Sequence, residues 1–302
     1  MADKRSTRFN KELRERLKTG LKVRRDTYKA LVEMLNQAEK EIVQTLSNSP
    51  TDWETFYLTQ LQQQIKNALR SIEVQMATTA NDAMNVSWQG GIDLVDKPIE
   101  AAGIQLSSSM PQISTNQLTA MRTFMVDRIK DVPIQLAQKI TGQLGMTMMG
   151  AQSVGDTVSN VQKMFKNQGR SRILTIVRTE LGRAYSTATH LRQQQASEFL
   201  PGMKKQWRRS GKVHSRVSHD VIDGQVKDID EPFKLGNGTQ LMYPRDPRAS
   251  AKETINCGCE SLPWMEHWDM KLPGKKPYTA QEKMLNPIKA ALSDSAPLVK
   301  TG

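Results

Sequence analysis

Cysteine is nearly absent from this sequence of 302 residues. The two that occur, Cys257 and Cys259, are separated by a single residue. A disulfide across so short a loop would be strained, because the bond requires a specific separation and dihedral geometry. A disulfide framework is therefore not expected, while metal binding by the two thiols stays open.

Long apolar runs are also missing. No stretch approaches the roughly 18 consecutive apolar residues that a membrane span requires. The first twenty residues, MADKRSTRFNKELRERLKTG, lack the apolar centre of a secretory signal. We therefore expect a soluble chain without a membrane partner, about two ordinary domains long and able to bury a hydrophobic core.

Acidic residues are scarce in two segments, which concentrates the formal net charge of +12. Residues 1–25 carry ten Lys/Arg against three acids, and residues 163–216 carry thirteen against two. A solvated helix face is one interpretation of such a charge run. The length of the acid-poor stretch favours a polyanionic partner, because each neutralised phosphate releases condensed counterions.

The periodicity of apolar residues predicts a largely helical first part. Apolar positions recur at three and four residues from Leu13 to Leu46, interrupted at Gly20 and Arg24, and a second helix begins at Thr51 and breaks by Gly90-Gly91. Two long helices joined by a short turn form an antiparallel pair. Further helices are predicted at 115–131, 134–145, 151–167 and 171–197, separated by Pro133, Gly150 and Gly169.

After Pro201-Gly202 the pattern changes to short segments flanked by Asp223-Gly224 and Asn237-Gly238, dipeptides that favour tight hairpins. We therefore predict an α+β fold with a mainly helical N-terminal half and a small C-terminal module containing a β-hairpin. The predicted parts are a helical hairpin at 1–95, a linker at 96–114, further helices at 115–200, the module at 201–268 and an extended or disordered tail at 269–302.

The module holds two histidines, His214 and His219, upstream of Cys257 and Cys259. Zinc prefers imidazole and thiolate ligands in a tetrahedral shell, with ligand pairs on two separate loops. These four residues therefore predict a structural zinc ion that staples a small module.

Two alternatives remain open for the same residues. In the first alternative, the cysteines are ordinary reduced thiols, and the histidines are surface side chains or hydrogen-bonded side chains. In the second, His219 with Asp220 and Asp223 holds a catalytic metal that activates water. Four sulfur and imidazole ligands would leave no open position, which favours the structural role over the catalytic one.

An ordered set of motifs resembles the phage head morphogenesis family, which includes the Mu F-like minor head proteins. The resemblance covers about residues 115–265, and it is carried by Arg178-Thr179-Glu180, Trp207, His219, Asp223-Gly224-Gln225, Asp230-Glu231-Pro232-Phe233, Tyr243-Pro244, Asp246-Pro247, Ile255-Asn256-Cys257 and Cys259. In related sequences a Cys or Arg stands three residues before the position of His219, and here it is Arg216. The family pattern thus has Arg216 at that position and does not support His214 as the fourth ligand.

The resemblance implies a minor head protein of a tailed phage, located at the portal vertex or capsid interior after assembly in the host cytoplasm. It further implies contact with the portal or major capsid protein, an oligomer around the portal, and a role in packaging or delivering the genome without enzymatic activity. Arg178 and Glu180 would form a structural charge pair, together with Trp207, Asp223 and Gly224 of the module. From the charge pattern we predict non-specific contacts with double-stranded DNA. The predicted contact residues are Arg5, Arg8, Lys11, Lys204, Lys205, Arg208 and Arg209.

Two other functions stay open at this point. The first is a metal-dependent nuclease or hydrolase that uses His219 and nearby acids. The second is a coiled-coil or polymerising protein, which the long N-terminal helices alone would support.

Overall fold

Long helices make up most of the chain in the computed structural model, which describes residues 4–48, 55–105, 110–268 and 276–294. For residues 55, 56 and 294 only the backbone is described. The main helices are α1 (Lys4–Ser47), α2 (Thr55–Ala101), α3 (Asn116–Met148), α4 (Val154–Met164) and α5 (Ser171–Phe199). The predicted turn at Ser49-Pro50 and the start at Thr51 lie outside the described residues. No described helix is both long and apolar enough to cross a membrane.

The buried face of α1 differs from the predicted one at the two interruptions. Gly20 and Arg24 are buried, whereas Leu21 is 61% exposed. A side-chain Cβ at Gly20 would stand 2.8 Å from the ring of Tyr185 on α5. Position 20 is thus a contact point that only glycine fits, and not a gap in the helix face.

The predicted break of the second helix at Gly90-Gly91 does not occur, and α2 continues to Ala101. At Gly91 an added Cβ would lie 2.2 Å from the carbonyl oxygen of Tyr185. The glycine therefore permits close packing of two helices instead of ending one. The predicted linker at 96–114 is accordingly wrong for residues 96–101, and buried Asp96 accepts two hydrogen bonds from Arg192, both at 2.7 Å.

Helix α3 also runs through its predicted boundary, Pro133. Proline removes one helical N–H donor, yet Ile129, Val132, Leu136 and Ile140 around it are buried, and this packing keeps the helix continuous. Between α4 and α5 lies a π-helical turn, Phe165–Arg170, here called the π-turn. It widens the backbone where the sequence predicted a break at Gly169.

The small C-terminal module has the strands β1 (Met203–Arg208), β2 (Val226–Lys227), β3 (Phe233–Lys234), β4 (Gln240–Leu241) and β5 (Glu260–Met265). They form a three-stranded antiparallel sheet in the order β2-β1-β5 and a separate hairpin. Strands β3 and β4 form the hairpin predicted from Asn237-Gly238, and Gly238 has φ +87°. The predicted fold class, long helices followed by a small hairpin-containing module, is confirmed.

Two compact units are built from discontinuous segments of the chain. Unit 1 comprises 1–20, 88–114 and 182–302, and unit 2 comprises 21–87 and 115–181. The core of unit 1 includes Phe9, Leu94, Tyr185, Met203 and Leu262. In unit 2 the buried positions include Leu35, Leu69, Leu136, Ile140 and Ile173.

The predicted extended or disordered tail contains two short helices in its described part, α8 (Ala280–Leu285) and α9 (Pro287–Asp294). We call residues 276–294 the strap. Its buried Glu282 binds Arg209 at 2.6 Å and Lys289 at 2.8 Å. This ion-pair network has no periodic sequence signature, which is why sequence patterns did not predict ordered structure here.

Candidate metal centre

Three of the four predicted metal ligands converge in the module. One ligand atom each from His219, Cys257 and Cys259 lies within 4.8 Å of the others, and all three residues are buried. Nδ1 of His219 is 3.6 Å from Sγ of Cys257 and 3.8 Å from Sγ of Cys259. Zinc–sulfur and zinc–nitrogen bonds of about 2.3 and 2.05 Å at tetrahedral angles separate N and S by about 3.6 Å. The spacing therefore fits one tetrahedral zinc ion.

His219 lies on α6 (Val217–Asp220), a single helical turn, and contacts Trp207 of β1. The indole Nε1 of buried Trp207 donates a hydrogen bond of 3.0 Å to the carbonyl of His219. The two rings meet edge to face with centroids 5.5 Å apart. Trp207, predicted as a structural motif residue, thus positions the backbone that carries the imidazole.

The cysteine loop lies between α7 (Ala251–Thr254) and β5, and cationic side chains bind three consecutive carbonyls in it. Arg216 donates to Ile255 at 2.8 Å, Lys212 to Asn256 at 2.6 Å and Arg245 to Cys257 at 2.8 Å. Asn256 itself has φ +57°, in the left-handed region. These contacts fix the turn that brings both thiols to one side.

Glu253 orients the imidazole from behind. Its carboxylate lies 2.8 Å from Nε2 of His219 and accepts a hydrogen bond of 3.0 Å from the amide of Asn237. Burial opposes ionisation of Glu253, but the hydrogen bonds from His219 and Asn237 outweigh it and lower its pKa. A proton on Nε2 shared with a carboxylate leaves Nδ1 free as a ligand, the usual arrangement behind a metal-bound histidine.

Both cysteines are buried reduced thiols. A hydrogen bond from Cys259, assisted by His219 and by Arg245, lowers the pKa of Cys257. The same hydrogen bond, together with burial, raises the pKa of Cys259. Arg245 is itself buried and bonded to Glu260 at 2.6 Å, so the site supplies positive charge that stabilises a thiolate.

The predicted fourth ligand, His214, does not join the cluster. It is exposed, and it precedes the turn of α6 that carries His219 inward. Arg216 stands between the two and binds the Ile255 carbonyl. Among the His, Cys, Asp and Glu side chains that the structure describes, the cluster contains three ligands, so a fourth position of a tetrahedron is left for water or another donor.

The acids next to His219 face other groups. Asp220 accepts a hydrogen bond of 2.5 Å from Ser215 and lies 3.4 Å from Lys289 of the strap. Asp223 accepts hydrogen bonds from the backbone N–H of Arg209 and of Lys276. Neither belongs to the metal cluster, so among the described residues the acid that contacts His219 is Glu253. Gly224, with φ +85°, turns the chain so that its N–H reaches the Trp207 carbonyl.

Arg178 and Glu180 do not form the predicted pair. Arg178 is exposed and Glu180 is buried, because residues two apart on a helix face different directions. Glu180 lies 3.7 Å from Arg128 on α3 instead. The motif therefore reflects a buried acid on α5 with an arginine partner from another helix.

The predicted DNA-contacting residues divide into two groups. Arg5, Arg8 and Lys11 are exposed on α1, as the prediction requires. Lys205 is buried and donates to the carbonyls of Ile229 and Met242, at 2.7 and 2.9 Å. It cannot reach a phosphate in this fold, so that assignment is wrong.

The other three residues near β1 are engaged with acids. Arg209 is buried between Glu282 and Tyr278, whose ring centroid is 4.1 Å from its guanidinium carbon, and its assignment to DNA is also wrong. Arg208 is half-buried and 4.0 Å from Asp223. Lys204 pairs with two acidic side chains, Asp228 at 3.4 Å and Glu266 at 2.9 Å.

Comparison with known proteins gives matches to part of the chain. Residues 138–262 match the family model described as Phage Mu protein F like protein, which confirms the resemblance to the phage head morphogenesis family over that segment. A Bacillus subtilis (strain 168) protein, named "Uncharacterized protein YqbB", is 33% identical over 134 residues, 42% of each chain. The "NAD(+)--arginine ADP-ribosyltransferase EFV" of Enterococcus faecalis (strain ATCC 700802 / V583) is 28% identical over 128 residues, 42% of this chain and 26% of that protein. The matches thus span less than half of either relative, and no solved structure matches the chain.

Proposed function

We propose that this chain is a minor head protein of a tailed phage that acts in head assembly and in packaging or delivery of the genome. The observation that carries the proposal is the match of residues 138–262 to the Mu F-like family, which includes the whole cysteine–histidine cluster. Portal and capsid proteins are the partners that such a role requires. The protein would reside in the virion, at the portal vertex or capsid interior, and an oligomer around the portal fits the same role.

DNA contact is assigned in this proposal to the start of α1. Among the exposed side chains of residues 4–19, six are basic and one, Glu15, is acidic. Lys4, Arg8, Lys11 and Lys18 recur at intervals of four, three and seven residues, which places them on one side of a helix. At 1.5 Å per residue this face is about 21 Å long and can meet several phosphates of one duplex.

The DNA assignment is tested with the double variant Arg8→Gln/Lys11→Gln. Binding to a random-sequence duplex is measured over a range of salt concentrations. We expect the slope of log affinity against log salt to fall by about 0.9 for each phosphate that the variant no longer neutralises. The control is Lys40→Gln/Arg70→Gln, which removes the same charge from exposed helix positions elsewhere. Equal slopes for all three proteins would assign the α1 face to a protein partner.

We further propose that His219, Cys257 and Cys259 hold a structural zinc ion. When bound, zinc would cross-link α6 to the cysteine loop, and water or another donor would fill its fourth position. The support is the fit of the ligand spacing to zinc bond lengths, the Glu253 partner behind the imidazole, and the nearly complete burial of all three residues. Because the unfolded loops offer no preformed site, metal binding would contribute directly to the folding free energy of the module.

The zinc proposal predicts about one equivalent of metal in protein purified without chelators. His219→Ala and Cys257→Ser are expected to lose the metal and to lower the melting temperature. His214→Ala serves as the matched control, because His214 is exposed and outside the cluster, and it should keep both. The proposal is rejected if the wild-type protein contains no metal and chelation does not change its melting temperature. The cysteines would then be buried thiols without a metal.

We do not assign the transferase activity named for the Enterococcus relative, because the shared segment is about a quarter of that protein. In this proposal the shared segment has a structural role. The purified chain is therefore expected to release no nicotinamide from NAD⁺ in the presence of arginine, and measurable release would overturn the non-enzymatic assignment.

A further inference from the structure

A polar cleft of about 330 Å³ lies in unit 2, between α3 and the π-turn. Its floor is apolar, formed by Val132 and Leu136. Its walls carry two cationic side chains, Lys139 and Arg172, and two amides, Gln135 and Gln168. None of these residues belongs to the metal cluster or to the basic face of α1.

The π-turn contributes one side of the cleft. Such a turn holds an extra residue relative to an α-helix, and it recurs at functional sites. Here Phe165 and Gly169 face inward, and a Cβ at Gly169 would lie 2.7 Å from the side chain of Leu35. Asn167 and Gln168 are therefore held outward, where they line the cleft opposite α3.

Neutral amide oxygens accept two of the three hydrogen bonds that Lys139 and Arg172 donate to side chains within the described residues. Lys139 donates to the amide oxygen of Gln168, and Arg172 donates to the amide oxygen of Gln135. Within the described residues, Asp131 is the one carboxylate that bonds either cation, through Arg172, and its side chain is 41% exposed. Two positive charges against one negative charge leave these groups with a net charge of +1.

Phosphate oxygens would compete well for these donors. A phosphate oxygen carries a negative charge, so it adds ion–ion attraction to the hydrogen bond from Lys139 or Arg172, which a neutral amide oxygen does not. The displaced Gln135 and Gln168 could rotate and donate their NH₂ groups to the same anion. Lys163 and Lys166, which precede Asn167 of the lining in the chain, are exposed and add positive charge to this segment.

We propose that this cleft binds a phosphate group of the DNA backbone. The inference rests on the proposed function only because it takes DNA as the source of the phosphate. The cleft itself is separate from the basic face of α1. The variant Lys139→Gln/Arg172→Gln removes both cations while keeping hydrogen-bonding side chains. Lys40→Gln/Arg70→Gln is the control with the same reduction of charge at exposed positions in unit 2.

Two measurements on the full chain test this site. Pyrophosphate binding, followed by broadening of its ³¹P resonance, should disappear in the cleft variant and persist in the control. The salt slope of binding to a random-sequence duplex should fall by about 0.9 to 1.8, the value for one or two neutralised phosphates, in the cleft variant alone. Circular dichroism melts check that both variants remain folded.

The outcomes separate the two proposals. A reduced slope in the cleft variant supports the site even if Arg8→Gln/Lys11→Gln changes nothing, an outcome that would reject the α1 face alone. Pyrophosphate binding without any change in DNA slope overturns the DNA assignment, because the cleft would then hold free anions. The proposed site is rejected if the control variant Lys40→Gln/Arg70→Gln shows an equal reduction of the salt slope. It is also rejected if neither the salt slope nor pyrophosphate binding changes in the cleft variant.

Discussion

Two buried titratable side chains in unit 1, His190 and Lys205, have lowered pKa values. His190 is buried and stacks on Tyr243, with ring centroids 4.7 Å apart, and its Nδ1 has no hydrogen-bond partner among the described residues. Burial, reinforced by the nearby positive charge of Lys205, lowers the pKa of His190 to about 4. Burial likewise lowers the pKa of Lys205 to about 8. Both residues favour their neutral forms more than they would in water.

His190 is predicted to make the protein acid-sensitive. Its folded pKa of about 4 lies below the ordinary value of 6.5, so the unfolded chain takes up the proton first. Stability should therefore fall as the pH drops from about 6.5 to about 4, by up to about 3 kcal/mol from this group. His190→Phe keeps the ring stack without titrating and should lose less stability over that range in guanidinium unfolding. His214→Phe, at an exposed position, should retain the wild-type pH dependence.

The residue types of the metal centre were predictable, but their arrangement was not. His219, Cys257 and Cys259 were identified because few other residues bind zinc. Spacing alone cannot show that His214 lies outside the turn of α6, and the prediction of His214 as a metal ligand is wrong. Glu253 and Arg245 were missed because a carboxylate behind an imidazole, or an arginine on a carbonyl, leaves no local pattern in the sequence.

At the scale of elements, glycine and proline were the least reliable guides. The long helices were predicted from their apolar periodicity, which tertiary packing preserves. The intrinsic preferences of Gly90-Gly91 and Pro133 disfavour helix interiors and therefore predict breaks there. In the structure packing decides instead: Gly91 admits the Tyr185 carbonyl of α5, and buried neighbours hold α3 together around Pro133.

Gly91→Ala should therefore be destabilising despite the better helix propensity of alanine. The new Cβ would lie 2.2 Å from the Tyr185 oxygen and 2.9 Å from the Ala188 side chain, so the helices must separate. Overpacking of this kind costs about 1–3 kcal/mol, more than the gain of about 1 kcal/mol in propensity. Gly142→Ala, in α3 with nothing within 4 Å of its Cβ, should stabilise instead. Thermal melts of the two variants should shift in opposite directions.

On the scale of the whole molecule, unit 1 combines the two described ends of the chain. Residues 4–20 share its core with α5 and the β-sheet, and the strap contributes buried charges to the module. A linear division into domains could not predict this, because sequence patterns identify elements and not the partners that they meet. Periodicity also cannot show that Arg209, predicted to bind DNA, is instead a buried partner of Glu282.

Glu282→Gln should loosen the strap. The change leaves Arg209 and Lys289 buried without their shared carboxylate, and breaking a buried pair in this way costs about 3–5 kcal/mol. Burial alone would raise the pKa of Glu282, but hydrogen bonds from Arg209 and Lys289 lower it to about 2. Its contribution is thus present above about pH 4.5 and is lost as the pH falls toward 2. Hydrogen exchange of residues 276–294 should rise in this variant and not in exposed Glu198→Gln.

The discontinuous make-up of unit 1 also sets the order in which the chain acquires structure during synthesis. Unit 2 is complete once residue 181 has left the ribosome, whereas residues 4–20 contact partners that begin at 88 and continue beyond 182. At about 5–20 residues per second, the first helical turns wait roughly ten seconds or more for those partners. During that interval the basic segment of residues 4–20 is unpacked and open to polyanions such as ribosomal RNA. These residues are therefore expected to reach their folded packing later than unit 2 does.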